Sequence, residues 1–552
     1  MTCRPAKLWI AIGVVAALAG CAERGSIRPT AQPLDANTLD PGRDITGAAI
    51  TPAAITPAAV TPAAGPGGAS TITAPETTQR WWQAYGDPQL DALVEIAFAQ
   101  NPDLRIARDR IEQAQASAGA AGAVLWPKLD ADGKFNRVHA SKLGETPPPL
   151  NGKLFWDNNA DLSLSYELDL WGKNRSSWQA ALGGLRAAEL DVGEARLSLQ
   201  TALVRTYVRL SQAYAVRDVL SDTLEQQQQV LTITQRRYAA GLVSALQVSQ
   251  AEAQVDPVRV RLEQADNSIS ALRNQLAALS GQGPGAGDAL LRPALGGAIE
   301  VSLPSAVPAQ LIGRRPDVIA ARWRVEAAAH GIDAANAQFY PNINLSAFAG
   351  LQALSFDKLF GGDAVIYGYG PAITLPIFEG GRLRANLAGR TADYDLAVDR
   401  YNAALIQALQ QVADEIAAVR SNARQRAQAQ TALDTAQRAY DQALIGFRAG
   451  LTDYLTVLST QTGLLAQRQT LAQIEAAQLD AYAALMQALG GGFSDDTDSA
   501  AALQKASAAH PAAVDAAQAS DRHNAALVPS ANGTDAVPVG GSDAATNTGA
   551  LP

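Results

Sequence analysis

NPDLRIARDRIEQAQASAGAAGAVLWP, from Asn101 to Pro127, recurs as RPDVIAARWRVEAAAHGIDAANAQFYP from Arg315 to Pro341, at a constant offset of 214. Farther along, YAAGLVSALQV (Tyr238 to Val248) recurs as FRAGLTDYLTV (Phe447 to Val457) at an offset of 209, so five residues are lost between the two anchors. Length changes of that kind sit in loops. The period far exceeds the roughly 20–50-residue unit of a solenoid, and two copies are fewer than such stacking needs. The chain therefore reads as two fused copies of one domain-sized unit, over about 79–300 and about 301–493.

Each copy opens on helices. Asp87 precedes Pro88, and Leu90, Leu93, Val94, Ala97 and Phe98 then share one helical face. Asn101-Pro102-Asp103 repeats the device: Asn101 can cap, Pro102 gives up an amide proton that has no partner there, and Asp103 meets the positive end of the helix dipole. In the second copy Arg315 holds the capping position, a poorer choice, while Pro316 and Asp317 keep their roles. Both helices should end near Pro127 and Pro341.

Past those prolines the period changes from about 3.6 to 2. Four strands are expected, about 128–140, 158–171, 342–352 and 364–377. Leu162, Leu164, Tyr166 and Leu168 alternate with Asp161, Ser163, Ser165 and Glu167, whereas Phe348 falls on the wrong face of its strand. Strands of this length and alternation suit a tilted membrane strand. A soluble half-buried sheet alternates in the same way, so the pattern leaves that alternative open.

A proline-free run follows each hairpin, Lys173 to Ala240 and Arg382 to Ala449. As helices these runs, about 173–240 and 382–449, would each reach about 100 Å at ~1.5 Å per residue. Gly241 and Gly450 can close them in the left-handed conformation, and returning helices are expected over about 243–280, kinked at Pro257, and about 453–489. Stripes such as Leu444, Phe447, Leu451, Leu455 and Leu458 predict antiparallel coiled coils. Four strands cannot close a barrel, and an open sheet edge cannot stand in lipid. If the sheet is in a membrane, several chains must pool their strands, and three chains give twelve, enough to enclose a passage.

The ends differ in kind from this body. Arg4 and Lys7, an apolar run from Leu8 to Ala19, and the small-residue site before Cys21 fit a secretory signal over residues 1–20. LAGC, from Leu18 to Cys21, resembles the lipobox of bacterial lipoproteins, which implies acyl (palmitate-type) lipid on Cys21 as the only covalent addition and anchoring in outer-membrane lipid. Losing Arg4, Lys7 and Cys3 takes the net charge from −9 to −11 and leaves one cysteine, so no intrachain disulfide can form. Residues 21–78 are rich in Pro, Thr and Ala, with ITPAA, ITPAA and VTPAA in tandem from Ile50 to Ala64, and read as an extended tether. Residues 494–552 lack periodicity and read as a disordered tail. The acidic balance, with no basic stripe, argues against nucleic acid as a partner. His139, His330, His510 and His523 show no metal-ligand spacing, and no catalytic constellation stands out, so neither a metal site nor an enzyme is expected.

WWQAYGDPQLDALVEIAFAQNPDL, YELDLWGKNR (Tyr166 to Arg175), YAAGLVSALQVSQAEAQV, RRPDVIAARWRVEAAA with FYPNINL, and LPIFEGGRLRA (Leu375 to Ala385) resemble the TolC-like outer-membrane efflux family, in its NodT-type lipoprotein branch. The likeness runs in order through both copies, from about Thr78 to Gly492. It implies a homotrimer whose twelve-stranded membrane barrel continues into an α-helical barrel, working with a periplasmic adaptor and an inner-membrane transporter, proton-driven, to export small molecules. The tips Ala240, Gly241, Leu242, Ala449, Gly450 and Leu451 are then the adaptor contact, besides reversing the chain. The resemblance puts the periplasmic aperture at Asp453, Thr456 and Ser459, where this chain has hydroxyls at two positions at which the family often carries carboxylates, so an anionic ring there is not implied. Asp453 is equally suited to cap the helix behind it. A duct for protein secretion of the type I kind, or a lipid-anchored periplasmic coiled-coil scaffold with a soluble sheet, remains compatible with the residues.

Overall fold

The computed structural model describes residues 27–34, 71–72, 80–296, 300–301 and 315–493. The expectations for the signal segment, Cys21, the TPAA units and the tail at 494–552 lie outside the described residues. In chain order the elements are β1 (Thr71–Ile72), a 3-10 turn (Trp81–Tyr85), α1 (Pro88–Gln100), α2 (Pro102–Ala123), β2 (Lys128–His139), β3 (Leu154–Leu168), α3 (Lys173–Ala239), α4 (Ala245–Glu252), α5 (Val255–Leu279) and α6 (Pro284–Asp288). The second copy supplies β4 (Glu300–Val301), α7 (Pro316–Ala337), β5 (Asn342–Ala353), β6 (Val365–Thr374), α8 (Arg382–Arg448) and α9 (Tyr454–Ala488).

The sheet is antiparallel in the order β2-β3-β5-β6, and β3 against β5 joins the two copies. Lys128 pairs with Ser165, and Asn342 with Thr374, so the register at the helix side of the sheet is the same in both copies. The five missing residues therefore lie within the hairpins, between 128 and 165 in the first copy against 342 and 374 in the second, on the turn side of these pairs. Two strands differ from expectation, β3 at both ends and β6 at its end. The ladder from Leu154↔His139 to Asp157↔Asn136 starts β3 early, and it ends at Leu168 because the Asp169 carboxylate turns away to accept the amides of Asn174 (3.1 Å) and Arg175 (2.7 Å) at the start of α3. β6 ends at Thr374, opposite the first residue of β5, because no partner strand exists beyond it.

The helices form two rows. Nearer the sheet α2, α3, α7 and α8 lie side by side; farther away the order is α5, α3, α9, α8. α3 and α8 run through both rows, 67 residues each, or about 100 Å. The helix expected over 243–280 is broken in two at Ala253–Gln254. Pro257 has no amide proton for the Ala253 carbonyl, so the helix restarts with the proline in its first turn.

Where the rows meet, one core gathers Trp81, Trp82, Tyr85, Leu90, Leu203, Tyr207, Val412, Tyr482 and Leu485 with their neighbours. Trp81, Tyr85 and Tyr482 meet edge to face at 5.8–6.4 Å. Asp87 caps α1 through the Gln89 amide (2.9 Å) while its other oxygen receives the Tyr207 hydroxyl (2.6 Å) and the Ala294 amide (2.7 Å).

The duplication reaches single hydrogen bonds. Asn101 Oδ1 caps α2 by accepting from Asp103 N and Leu104 N, and its Nδ2 donates to the carbonyl of Leu279 at the end of α5 (2.9 Å). Arg315, its counterpart, makes no cap; its Nη1 donates to the carbonyl of Ala488 at the end of α9 (3.3 Å) and to Gln411 Oε1 (2.8 Å), while Nε and Nη2 grip Asp317. Leu279 and Ala488 are themselves equivalent at the offset of 209. In each copy one side chain thus ties the start of α2 or α7 to the end of the returning helix, α5 or α9.

The tether is not free throughout. Ile27–Leu34 lies in the groove between α7 and α8: Ile27 packs with Phe339, Leu383 and Leu387, and Leu34 with Val318 and Leu405. Asp395 accepts from Thr30 N, Thr30 Oγ1 and Ala31 N, bonds that hold its carboxyl below the usual range, and Asn402 Oδ1 accepts from Leu34 N (2.8 Å). Thr71–Ile72, in a β-branched stretch free of proline, pairs in parallel with Glu300–Val301. Asn101→Ala should cost about 1–3 kcal/mol, a cap plus a buried bond, while Ser117→Ala on the exposed face should stay within about 0.5 kcal/mol. Thermal unfolding followed by far-ultraviolet circular dichroism checks the difference.

Candidate functional site: the amphipathic sheet and the hairpin tips

Side chains paired across an antiparallel ladder share a face. One face carries the rows Leu129-Leu164-Ala347-Tyr369 and Ala131-Leu162-Ala349-Tyr367. The other carries Lys128-Ser165-Ser346-Gly370, Asp130-Ser163-Phe348-Gly368 and Asp132-Asp161-Gly350-Ile366. The apolar face is open, with Leu162, Leu164, Tyr367 and Tyr369 at 53%, 41%, 75% and 86% exposure. A soluble half-buried sheet would cover that face. Phe348 does stand on the polar side, and a Cβ on Gly368 would come within 2.7 Å of its ring, so the bare glycine makes room for it.

Aromatic groups mark the two ends of the apolar band. At the helix side Trp126, Trp171 and Phe378 are exposed, Trp171 stacks on Tyr340 at 4.6 Å, and its indole N–H donates to the Pro341 carbonyl (2.8 Å). At the turn side Phe135, Phe356 and Phe360 cluster at 6.1–6.5 Å, and the Arg137 guanidinium sits over Trp156. Amphipathic rings collect where hydrocarbon meets water.

The far ends of α3 and α8 turn in the same way. Gly241 (φ 71°) and Gly450 (φ 77°) take the left-handed conformation, Leu242 N reaches back to the Arg237 carbonyl (2.9 Å), and Leu451 N to the Gly446 carbonyl (2.8 Å). The expected coiled-coil stripe divides here. Phe447 is buried with Val230, Tyr440, Tyr454 and Val457, and Leu444 and Leu458 lean on that cluster, but Leu451 and Leu455 are exposed, as are their counterparts Leu242 and Leu246. The two tips thus present equivalent pairs of bare leucines.

Asp453, Thr456 and Ser459 share an exposed face at the start of α9 and form one network. Asp453 Oδ1 accepts from Thr456 Oγ1 (2.6 Å) and Thr456 N (2.9 Å), and Ser459 Oγ donates to the Thr456 carbonyl (3.0 Å). The Thr456 hydroxyl and amide hold the Asp453 carboxyl below its usual range. Capping is therefore one role of Asp453, as its position suggested.

Sequence reading missed three things here: the strap at Ile27–Leu34, the exposure of Leu246 and Leu455, and Arg237, whose Nη1 donates to the Phe447 carbonyl (2.7 Å). The last had a signal, since the repeat sets Arg237 against Gly446.

A family model described as outer membrane efflux protein matches residues 93–282 and 307–491, one match in each copy. The fusaric acid resistance protein FusA of Burkholderia cepacia is 39% identical over 381 residues, 68% of this chain and 67% of its own length. The multidrug resistance outer membrane protein MdtP of Shigella flexneri is 30% identical over 426 residues, 75% of this chain and 86% of its own. The crystal structure of the outer membrane protein VceC of Vibrio cholerae superposes with a TM-score of 0.71 at 35% identity, covering 76% of this chain and all of that one. With the apolar face toward lipid, Leu164→Arg should cost about 2–4 kcal/mol and block insertion, whereas Ser163→Arg beside it should be tolerated. Heat-modifiable migration of the protein from outer-membrane fractions reads both.

Proposed function

The chain belongs to the outer membrane efflux protein family, and we propose that it is the outer-membrane duct of a tripartite system, closed by three copies and passing small molecules. The carrying observation is that every layer is open along the same two edges. In the sheet they are β2 and β6; in the near helix row, α2 and α8; in the far row, α5 and α8. In each case one edge belongs to the first copy and the other to the second.

The joint inside the chain is a template for the joint between chains. β3 pairs with β5, and by the duplication β6 pairs with the next chain's β2. α3 packs against α7 and α9, and by the same step α8 packs against the next chain's α2 and α5. Repeating that step closes the twelve strands and satisfies the edge backbone groups that lipid cannot. Three chains fit because eight strands are filled by side chains and twelve leave a passage.

The strap supports acylation at Cys21. Ile27 is fixed beside Leu383 and Leu387, close to where α8 leaves the sheet, and six residues of chain span at most roughly 20 Å. An acyl chain on Cys21 then reaches the inner aromatic girdle. No cofactor beyond that lipid is needed, and no nucleic acid takes part. The bare leucine pairs at Leu242 and Leu451, beside Ala240-Gly241 and Ala449-Gly450, fit contact with a periplasmic adaptor, and a proton-driven inner-membrane transporter supplies the energy. Asp453, Thr456 and Ser459 line the narrow end. The names of the relatives, resistance and multidrug resistance proteins, favour small molecules over secreted proteins.

Purified protein should run as a heat-sensitive trimer and conduct ions in planar lipid bilayers; no trimer and no conductance would leave a periplasmic scaffold. Ser459→Asp should raise cation selectivity, and an unchanged reversal potential would remove this position from the constriction. Cys21→Ser should abolish incorporation of labelled palmitate.

A further inference from the structure

We infer that Phe348 is a stacking contact for planar aromatic solutes passing the sheet, cationic ones above all. The inference rests on the duct reading above, which turns the polar face of the sheet toward the lumen, and it names a class of solute for that path.

Phe348 stands midway along β5 on the polar face, and it is 44% exposed. The strands on either side of it, β3 and β6, belong to the same chain, so its immediate neighbours need no second copy. The edge of its ring lies over β6: Cε1 and Cζ stand 2.7 and 2.9 Å from where a Cβ on Gly368 would be. Two residues on, a Cβ built on Gly370 would meet nothing within 4 Å, and Ser346 Oγ donates to the Gly370 carbonyl (3.3 Å). The ring therefore borders a shelf of bare backbone and keeps a large part of its surface in water. A flat solute can rest on that shelf and meet the ring in an offset or edge-to-face arrangement.

The duplication separates this role from packing. At the offsets of 214 and 209, Phe348 and Gly368 correspond to Lys134 and Asn159, and each two are directly paired in their own hairpin. The first copy builds the same ladder with two polar side chains, so the ladder itself has no need of an aromatic group at this place. In the second copy both positions differ together, with a ring in one and no side chain in the space that the ring takes. An apolar group put there for burial would not be left nearly half in water.

Charge sets the sign of the preferred solute. Asp161, diagonal to Phe348 across the β3–β5 ladder, accepts from the neutral Asn159 amide (2.6 Å). Farther along the same face Lys128 binds Asp130 (2.9 Å), Lys134 lies 3.8 Å from Asp157, and Asp132 adds a further carboxylate. Carboxylates thus outnumber lysines around the ring. A flat cation is drawn by the ring's negative face and by these charges, whereas a flat anion gains the first kind of contact at the expense of the second.

Ligand-observed fluorine NMR on the full-length protein in detergent micelles reads the site. The probes are 4-(trifluoromethyl)benzylammonium, its saturated cyclohexyl analogue of the same charge, and 4-(trifluoromethyl)phenylacetate. The aromatic cation should bind the parent protein more tightly than the saturated one. Phe348→Ala should weaken the aromatic cation about three- to tenfold and change the saturated one by less than about twofold. Phe348→Trp should keep or tighten binding of the aromatic cation, which a merely structural role for Phe348 would not give. Asp161→Asn should weaken the aromatic cation and not the aromatic anion. If Phe348→Ala does not assemble, Phe348→Leu, which keeps an apolar side chain of similar size, carries the same comparison. Equal affinity of the parent and that variant for the aromatic cation, or an equal loss for both cations, overturns the stacking contact. A water-soluble maleimide tests the duct reading separately, with the parent protein and its Cys3 and Cys21 as the labelling control. In liposomes Ser346→Cys, on the face of Phe348, should be modified, and Leu345→Cys, on the apolar face, should not. Protection of Ser346→Cys overturns the duct reading, while the comparison in micelles still decides the stacking.

Discussion

A sheet edge in hydrocarbon has no water to fall back on, and that constraint governs the chain from the turns of the sheet to the tips of the helices. β2 and β6 each leave one row of amides and carbonyls unpaired. Among the described residues no strand pairs with them, and the apolar face between the aromatic girdles suits lipid. Copies must therefore meet edge to edge. The helices inherit the same arrangement because each long helix is continuous with its hairpin: α3 follows β3 after a four-residue turn, and α8 follows β6. A sheet that closes brings two helix rows to closure with it.

Duplication makes such closure accessible to one gene product. A joint tested within the chain, between first and second copy, is reused between second copy and the next first copy. The cost is that each copy must stay compatible with both roles. Asn101 and Arg315 show how much chemical freedom that leaves. Each donates to the last carbonyls of the returning helix in its own copy, at Leu279 or Ala488, but one is a short amide that also caps, and the other is a buried guanidinium that needs Asp317 and Gln411 to balance it. The orphan carbonyl at the helix end is what is shared, and the residue that answers it is not.

Much of this was legible in the residues. Period-2 alternation placed all four strands, prolines and glycines placed the helix ends, and the change of offset from 214 to 209 located the length difference in the hairpins, where the paired registers now put it. Three features were hidden. The start of β3 at Leu154 lacks clean alternation, because pairing with β2 and not burial extends it. The docking of Ile27–Leu34 depends on Asp395 and Asn402, which look like ordinary solvated positions of a long helix until the strap is seen bonded to them. The Leu451 and Leu455 positions keep the coiled-coil spacing yet face outward, since α9 begins only at Tyr454 and the turn rotates them away from the cluster around Phe447.

The tips are where the copies diverge most usefully. Along the paired register of the hairpins and the 67-residue helices the second copy repeats the first closely enough that a neighbour could replace a partner within the chain. At Arg237 and Gly446 it does not, and the divergence is coupled to the next one along, since Thr452 takes up the space over Gly446 that a side chain would need. Val243-Ser244 and Thr452-Asp453 also differ in capping: the second turn caps its helix through Asp453, while the first has no side-chain cap at Ser244.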